Sequence, residues 1–300
     1  MSARASKRPI AITPALLRRW RLPAPDATDD KQDRGVAMVV GGAAEIPGAL
    51  LLSGVAALRA GAGKLQLAAP RSAAAALGVA VPEARVFALP ETGNGYLDRK
   101  AGARAGHCAR GADAVLVGPG MLGEDDIRSF MDALLPGIAD KSIVIDAVAL
   151  SALKGGRYQF REEARVVLTP NAGEMAKITG EPKETIEKNA RAAAERLASE
   201  INAVVVLKGP DTFIAMPYGE TFRYSGGDVG LATSGSGDIL AGILVGLLAR
   251  GASLDQAAAW AVHLHGAAGN RLGQRMGLVG FLARELADEV PALMNALAKR

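Results

Sequence analysis

The 300-residue chain has a single cysteine, Cys108, which excludes an intrachain disulfide framework. A lone thiol fits a reducing cytoplasm, and with nothing nearby to activate it Cys108 reads as a small buried hydrophobe. Aromatic residues make up only 4% of the chain, and no basic stripe is interleaved with them. Nucleic acid is therefore disfavoured as a partner, because its binders need stacking platforms and a clustered positive surface. Neither sign of charge dominates. Against 31 Asp and Glu stand 35 Lys and Arg, and the net +4 is scattered apart from the N-terminal tail. Such a mild positive balance suits anionic small molecules. No apolar run approaches the roughly 18–20 residues of a membrane helix. Arg18 and Arg19 interrupt the basic start of the chain before the apolar core of a secretory signal can form. What is left is an ordinary globular composition, 49% hydrophobic and 22% charged, of a length that suits one large α/β domain or two small ones.

The most informative stretch is Gly226–Gly251, GGDVGLATSGSGDILAGILVGLLARG. Ser234-Gly235-Ser236-Gly237 runs into Asp238 and then into an uncharged segment, Ile239 to Ala249. Its apolar residues cover too much of a helical wheel for a surface helix, so the spacing predicts a buried one. Gly242 and Gly246 lie one turn apart, where missing side chains let another element approach. A buried helix opening on Gly-Ser-Gly-Asp offers unpaired backbone N–H groups and the positive end of its dipole, which together attract anions. An acidic side chain in that place is costly unless it takes a proton or holds a cation. The competing reading is that Ser236 or Asp238 merely caps the helix.

Short β-rich runs alternate with helical ones from Gly35 onward. Strands are expected at Val36–Val40, Leu65–Ala69, Arg85–Leu89, Ala114–Val117, Ile143–Ile145, Val166–Leu168 and Val204–Leu207, with an antiparallel pair at Thr212–Ala215 and Thr221–Tyr224. Helices are expected at Ala49–Ala60, Asp125–Leu134, Thr185–Ser199, Ile239–Ala249 and Ser253–Leu272. This rhythm is that of an α/β protein, a mostly parallel sheet covered on both faces. Residues 1–35 read as an N-terminal surface arm carrying a short helix at Pro14–Arg19, and residues 36–300 as one domain. The polar punctuation has a direction: Gly118-Pro119-Gly120, Asp146, Asn171 with Glu174, Lys208-Gly209 and Asp238 all fall at strand C-termini or in the loops after them. That edge is where open α/β sheets bind ligands.

These residues resemble the ADP- or ATP-dependent NAD(P)H-hydrate dehydratases of the ribokinase-like superfamily. The likeness runs through PGALLLSGVAALRAGAGKLQLAAP (Pro47–Pro70), LVGPG, SIVIDAVAL, LTPNAGEMAKITG, VVLKGPDT, the Ser-Gly-Ser-Gly-Asp helix and the Gly277–Pro291 tail. It implies a three-layer α/β/α sandwich that dehydrates damaged, hydrated NADH or NADPH, with ADP (or ATP) as co-substrate and Mg²⁺ as cofactor. Phosphorylating the hydrate's hydroxyl makes it a good leaving group, and the adjacent ring nitrogen then expels it. By the same resemblance Asp238 is the general base, and the amides of Gly235, Ser236 and Gly237 form the anion hole. Lys208, Gly209, Pro210, Asp211 and Thr212, with Gly237, match the nucleotide-holding segment, although a strand-end lysine can also simply reach solvent. Ala49, Gly120, Asn171 and Asp238 match positions that contact the hydrated dinucleotide; close packing accounts for Ala49 and Gly120 nearly as well. A homo-oligomer, a cytoplasmic location and a separate epimerase chain for the same damaged cofactor are also implied.

One departure matters. Where these dehydratases commonly show Thr-Pro-His-Pro-Gly-Glu, this chain reads Thr169-Pro170-Asn171-Ala172-Gly173-Glu174. Asn171 can donate and accept hydrogen bonds but cannot carry charge. Asn171-x-x-Glu174 also matches a signature of small-molecule kinases in the same superfamily, where it organises Mg²⁺ and phosphates. Glu174 is thus a metal ligand through water, or else a first-turn helix residue. A kinase that phosphorylates a vitamin-like alcohol and stops is the alternative function; a non-catalytic nucleotide-binding scaffold is a third. Asp228 adds negative charge where the family usually shows Asn-Pro-Gly or Asn-Ala-Gly. His263 and His265, two apart on one helix, point in different directions and read as packing residues. Glu124-Asp125-Asp126 reads as a helix start, and Arg191–Ser199 as a solvated helix.

Overall fold

The computed structural model describes residues 8–298 apart from 25, 27, 29 and 157; the remainder of the expected arm, residues 1–7, lies outside them. Ten strands form one sheet: β1 (Ile10–Ala11), β2 (Val36–Val40), β3 (Lys64–Pro70), β4 (Ala84–Leu89), β5 (Ala114–Val117), β6 (Ser142–Ile145), β7 (Arg165–Leu168), β8 (Val204–Leu207), β9 (Thr212–Ala215) and β10 (Thr221–Tyr224). Their order is β1-β10-β9-β8-β7-β6-β5-β2-β3-β4, and only the pairings of β9 are antiparallel. Eleven helices surround it among the described residues: α1 (Pro14–Arg19), α2 (Gly48–Arg59), α3 (Arg71–Ala80), α4 (Arg99–Cys108), α5 (Glu124–Leu134), α6 (Ala172–Thr179), α7 (Lys183–Lys188), α8 (Ala190–Ile201), α9 (Ser236–Ala249), α10 (Leu254–Met276) and α11 (Ala283–Ala298).

Alternation along β2 sorts the interior into two cores. Ala37 and Val39 face one that holds Leu17, Leu50, Leu77, Ile239, Ala257 and Leu286; Met38 and Val40 face another with Ala101, Ile127, Met175, Ile186 and Leu197. Helices α1–α3 and α9–α11 thus cover one face and α4–α8 the other, giving a three-layer α/β/α sandwich. The continuously apolar strands follow from burial on both faces.

Helix α9 is buried along its whole length from Ile239 to Ala249. Its two glycines do what the spacing predicts. A side chain at Gly242 would stand 2.3 Å from the Ser53 carbonyl oxygen, and one at Gly246 would stand 2.5 Å from that of Ala57. Helix α2 therefore lies backbone to backbone against α9, held from its own side by the Ser53 hydroxyl donating to the Ala49 carbonyl at 2.9 Å.

Several expectations need correction. The 1–35 segment is not only a surface arm: β1 extends the sheet by pairing parallel with β10, and Leu17 of α1 is fully buried. The helix expected over Thr185–Ser199 is two helices parted at Asn189, whose side-chain amide donates to the Thr185 carbonyl at 3.1 Å. Helix α8 is not solvated all round, since Ala193, Ala194, Leu197 and Ala198 are buried. Helices α3, α4 and α11 went unmarked in the sequence.

Candidate active site

Sheet order reverses between β2 and β5, which pair in parallel while the chain leaves them in opposite directions. Such a switch point opens a crevice at the strand C-termini. Gly41-Gly42 after β2 and Gly118-Pro119-Gly120 after β5 line it. Gly120, at φ 67, lies so close to α2 that a side chain there would stand 2.9 Å from Ala49 Cβ. Two of the four residues expected to meet the dinucleotide are therefore neighbours. Along the same edge follow Asp146 after β6, Asn171 after β7 and Lys208 after β8.

The mouth of α9 faces this edge. Gly235 takes φ 86, a left-handed conformation that favours glycine and turns the chain into the helix. A side chain there would strike Leu52 of α2 at 2.5 Å. The Ser236 amide donates to the Thr233 carbonyl at 3.2 Å, so that member of the expected anion hole is already committed to protein. The Gly235, Gly237 and Asp238 amides have no acceptor among the described residues. In place of its amide, Ser236 offers its hydroxyl, whose oxygen lies 2.9 Å from His265 Nε2.

Lys208 is the hub of the charges. Its ammonium donates to Asp146 Oδ1 at 3.1 Å and lies 3.7 Å from Glu174 Oε2. It also sits over the helix mouth, 3.4 Å from where a Gly237 Cβ would be. Burial opposes the ammonium charge, but Asp146, Glu174 and Asp238 outweigh it and hold Lys208 above its ordinary range. The Asp146 side chain is 3% exposed and also accepts from Thr169 Oγ1 at 2.6 Å. The lysine is therefore fixed in the site and does not simply reach for solvent.

Asp238 is half-buried, and no donor among the described residues bonds its carboxylate. Burial first, then repulsion from Asp146, raises its carboxyl to about 7; Lys208 opposes the rise and Glu174 adds to it. The group is neither locked into packing nor consumed by a cap. Near neutrality it is poised to accept a proton.

Asn171 and Glu174 form a reciprocal capping box on α6. The Glu174 amide donates to Asn171 Oδ1 at 2.9 Å, and the Asn171 amide donates to Glu174 Oε2 at 2.8 Å. The first-turn role foreseen for Glu174 is thus formed, and the same carboxylate faces Lys208. Among the described residues no three His, Cys, Asp or Glu side chains converge as an all-protein metal cage.

Two cavities flank the Lys208-Gly209-Pro210 turn. One of about 790 Å³ is bounded by Thr212, Tyr224, the 227–233 loop, Ser236, Gly237, Leu240 and His265. The other, about 740 Å³, lies towards α7 and includes Asp211, Phe213 and Ile186. Asp211 is ion-paired with Arg223 at 2.8 Å, and Asp228 caps the turn at Val229. Ala49 and Gly120 line neither cavity.

Three residues here were not singled out as site residues from the sequence. Asp146 was visible only as a polar residue at a strand end, and Thr169 only as part of a turn. His265 was read as packing, yet it touches Ser236 and lines the larger cavity, whereas His263 is buried edge-on to Tyr224.

A parallel sheet with a switch-point crevice and a glycine-opened buried helix places the chain in the ribokinase-like class. Its residues 37–292 match the family model described as NAD(P)H-hydrate dehydratase. It is 44% identical over 289 residues to the ADP-dependent (S)-NAD(P)H-hydrate dehydratase of Xanthomonas campestris pv. campestris, across 96% of this chain and 97% of that protein. The bifunctional NAD(P)H-hydrate repair enzyme Nnr of Moorella thermoacetica is 35% identical over 93% of this chain, which spans 53% of that protein. The crystal structure of the ADP/ATP-dependent NAD(P)H-hydrate dehydratase from Bacillus subtilis, co-crystallized with ATP/Mg²⁺, superposes with a TM-score of 0.85. That pair is 31% identical and covers 96% of this chain and 98% of the other. The chain belongs to the NAD(P)H-hydrate dehydratase family.

Proposed function

We infer that this chain dehydrates hydrated NADH or NADPH at the expense of ADP, giving AMP, phosphate and the restored dinucleotide. The observation that carries the reading is Asp238: an unbonded carboxylate, raised by burial to about 7, beside free amides at a buried helix mouth. A base there takes the proton of the ring hydroxyl as its oxygen attacks the terminal phosphorus of ADP. AMP departs, and the phosphorylated hydrate loses phosphate as the ring nitrogen pushes its lone pair toward the carbon. Lys208 and the Gly237 and Asp238 amides carry charge on the moving phosphoryl group.

The adenine nucleotide occupies the cavity of about 790 Å³, where Gly209, Pro210 and Thr212 face apolar Tyr224, Leu240 and Val262. Asp211, paired with Arg223, steadies the turn from its rim. The hydrated ring lies on the other side of Asp238, against Ala49, Gly120 and Asn171. Three carboxylates around one lysine leave excess negative charge where phosphates must sit. That donor set fits Mg²⁺ brought with the nucleotide, which Glu174 would help to hold through water. When bound, the ion neutralises phosphate charge.

Asn171 with Glu174 favours one other reading, a kinase that phosphorylates an alcohol and releases the ester. Chemically hydrated NADH incubated with ADP or ATP and Mg²⁺ separates the two. Recovery of the reduced-nicotinamide absorbance is expected; no recovery with either nucleotide, together with phosphorylation of an alcohol, establishes the kinase. No helix among the described residues is long and apolar enough to cross a membrane. The reading places a homo-oligomer in the cytoplasm, working beside an epimerase.

A further inference from the structure

His265 has no assigned part in the chemistry, yet its ring joins the α9 mouth to the nucleotide cavity. Nε2 lies 2.9 Å from Ser236 Oγ, and both residues line that cavity. Ser236 is 4% exposed, and its amide is spent on Thr233, so its hydroxyl is the only donor it can offer a phosphate. A hydroxyl has one proton. If that proton goes to the histidine, only lone pairs face the cavity, and they repel an anion. If the histidine donates instead, the hydroxyl proton is free to point at the ligand.

We propose that His265 is a positioning residue: its Nε2–H donates to Ser236 Oγ and so holds the Ser236 hydroxyl as a phosphate donor in the anion hole. The ligand sets this direction: phosphate oxygens only accept, so an Oγ that donates to them must itself accept from the ring nitrogen 2.9 Å away. Burial, with a smaller push from Lys208, lowers the ring to about 4, against a backbone hydrogen bond at Ser236. The imidazole is therefore neutral at physiological pH and adds no charge to a site already organised by Lys208. The hydroxyl replaces the amide donor that the Thr233 turn has taken.

The test is a double-mutant cycle with Ser236→Ala, His265→Leu and the pair, read by calorimetric ADP binding and by turnover of hydrated NADH. Each single change is expected to weaken ADP binding about tenfold, the worth of one hydrogen bond to a charged group. The pair is expected to lose no more than Ser236→Ala alone. His265→Gln, whose amide N–H can replace the ring donor, restores most of the loss, and thermal melts verify folding. Independent, additive losses, or a His265→Leu protein that binds ADP as the wild type does, overturn the proposal. It rests on the dehydratase reading only for turnover: wild-type protein that binds ADP but never restores hydrated NADH sinks that reading and leaves the binding cycle decisive here.

Discussion

Replacing Asp238 by Asn is expected to slow the reaction greatly and to stabilise the fold. In the native protein the carboxyl rises from 3.8 to about 7, chiefly through burial and then through Asp146. The unfolded chain thus releases this proton several pH steps before the folded one. Stability from the protonated group is fully present below pH 3.8, declines as pH rises, and is gone above about 7. At 1.36 kcal/mol per pKa step the ceiling of the loss is roughly 4 kcal/mol. Water in the open cleft screens part of it, so about 2 kcal/mol is expected. Asn has the same shape and no charge to bury. Its gain over Asp should be near zero at pH 4, grow to pH 7 and stay level above, reaching roughly 4–8 °C in Tm. Thermal melts of both proteins from pH 4.5 to 8.5 measure the gap, and absorbance recovery from hydrated NADH measures the rate, expected to fall by about 10²–10⁴ with the base gone. A gap that does not change with pH, or a variant that melts lower at pH 8, refutes the placement of a strained carboxylate at the helix mouth.

Lys208→Met leaves buried Asp146 without its cation and should cost about 3–5 kcal/mol in denaturant unfolding. It also removes the one charge that lowers the Asp238 carboxyl, so the acid limb of kcat/KM moves to higher pH in whatever activity survives. Gly242→Ala drives a methyl to 2.3 Å from the Ser53 carbonyl; forcing α2 from α9 should lower stability by roughly 1–3 kcal/mol. At Asn171, Ser keeps the α6 cap while Ala loses about 1 kcal/mol of it. If Asn171 also contacts the hydrate, both variants raise its KM, and equal KM values for Ser and wild type confine the residue to capping.

The C-terminal sheet edge was legible because each polar residue there interrupts an apolar strand, and a strand end is a local signal. Helix α9 was legible for a related reason: eleven uncharged residues have nowhere to go but the interior, and Gly242 and Gly246 name the face that α2 meets. What could not be read was pairing across the fold. Spacing showed that His263 and His265 diverge, but not that α10 turns the second toward Ser236, 29 residues earlier. The reach of Lys208 to Asp146 spans 62 residues. Neither strand end says which neighbour it will face until the sheet order is known. The arm misled for a different reason: β1 is two residues long, too short to show a period, and its place is set by the free edge of β10. The break between α7 and α8 likewise hides in an Ala-rich run with no Pro or Gly to mark it.

On the proposed reading the residues assembled at the α9 mouth act on the phosphoryl group, and the one acid they leave for the later loss of phosphate is Asp238 carrying the proton it took from the hydroxyl. Lys208 is tied to Asp146, and His265 is held neutral. A carboxylic acid is a modest aid to the departure of phosphate, so the elimination draws its main driving force from the substrate. The ring nitrogen expels phosphate to leave an iminium, which loses a proton from the adjacent carbon to restore the reduced ring. On that reading the protein makes a phosphate ester, and the substrate decides whether that ester persists. An analogue of the hydrate in which carbon replaces the ring nitrogen keeps the hydroxyl and its surroundings but lacks the lone pair. With ADP and Mg²⁺ it should give one AMP and one stable phosphate ester per turnover, seen by ³¹P NMR, with no free phosphate. Release of free phosphate from that analogue at the rate seen with hydrated NADH would mean that the site itself drives C–O cleavage, with protonated Asp238 as its acid.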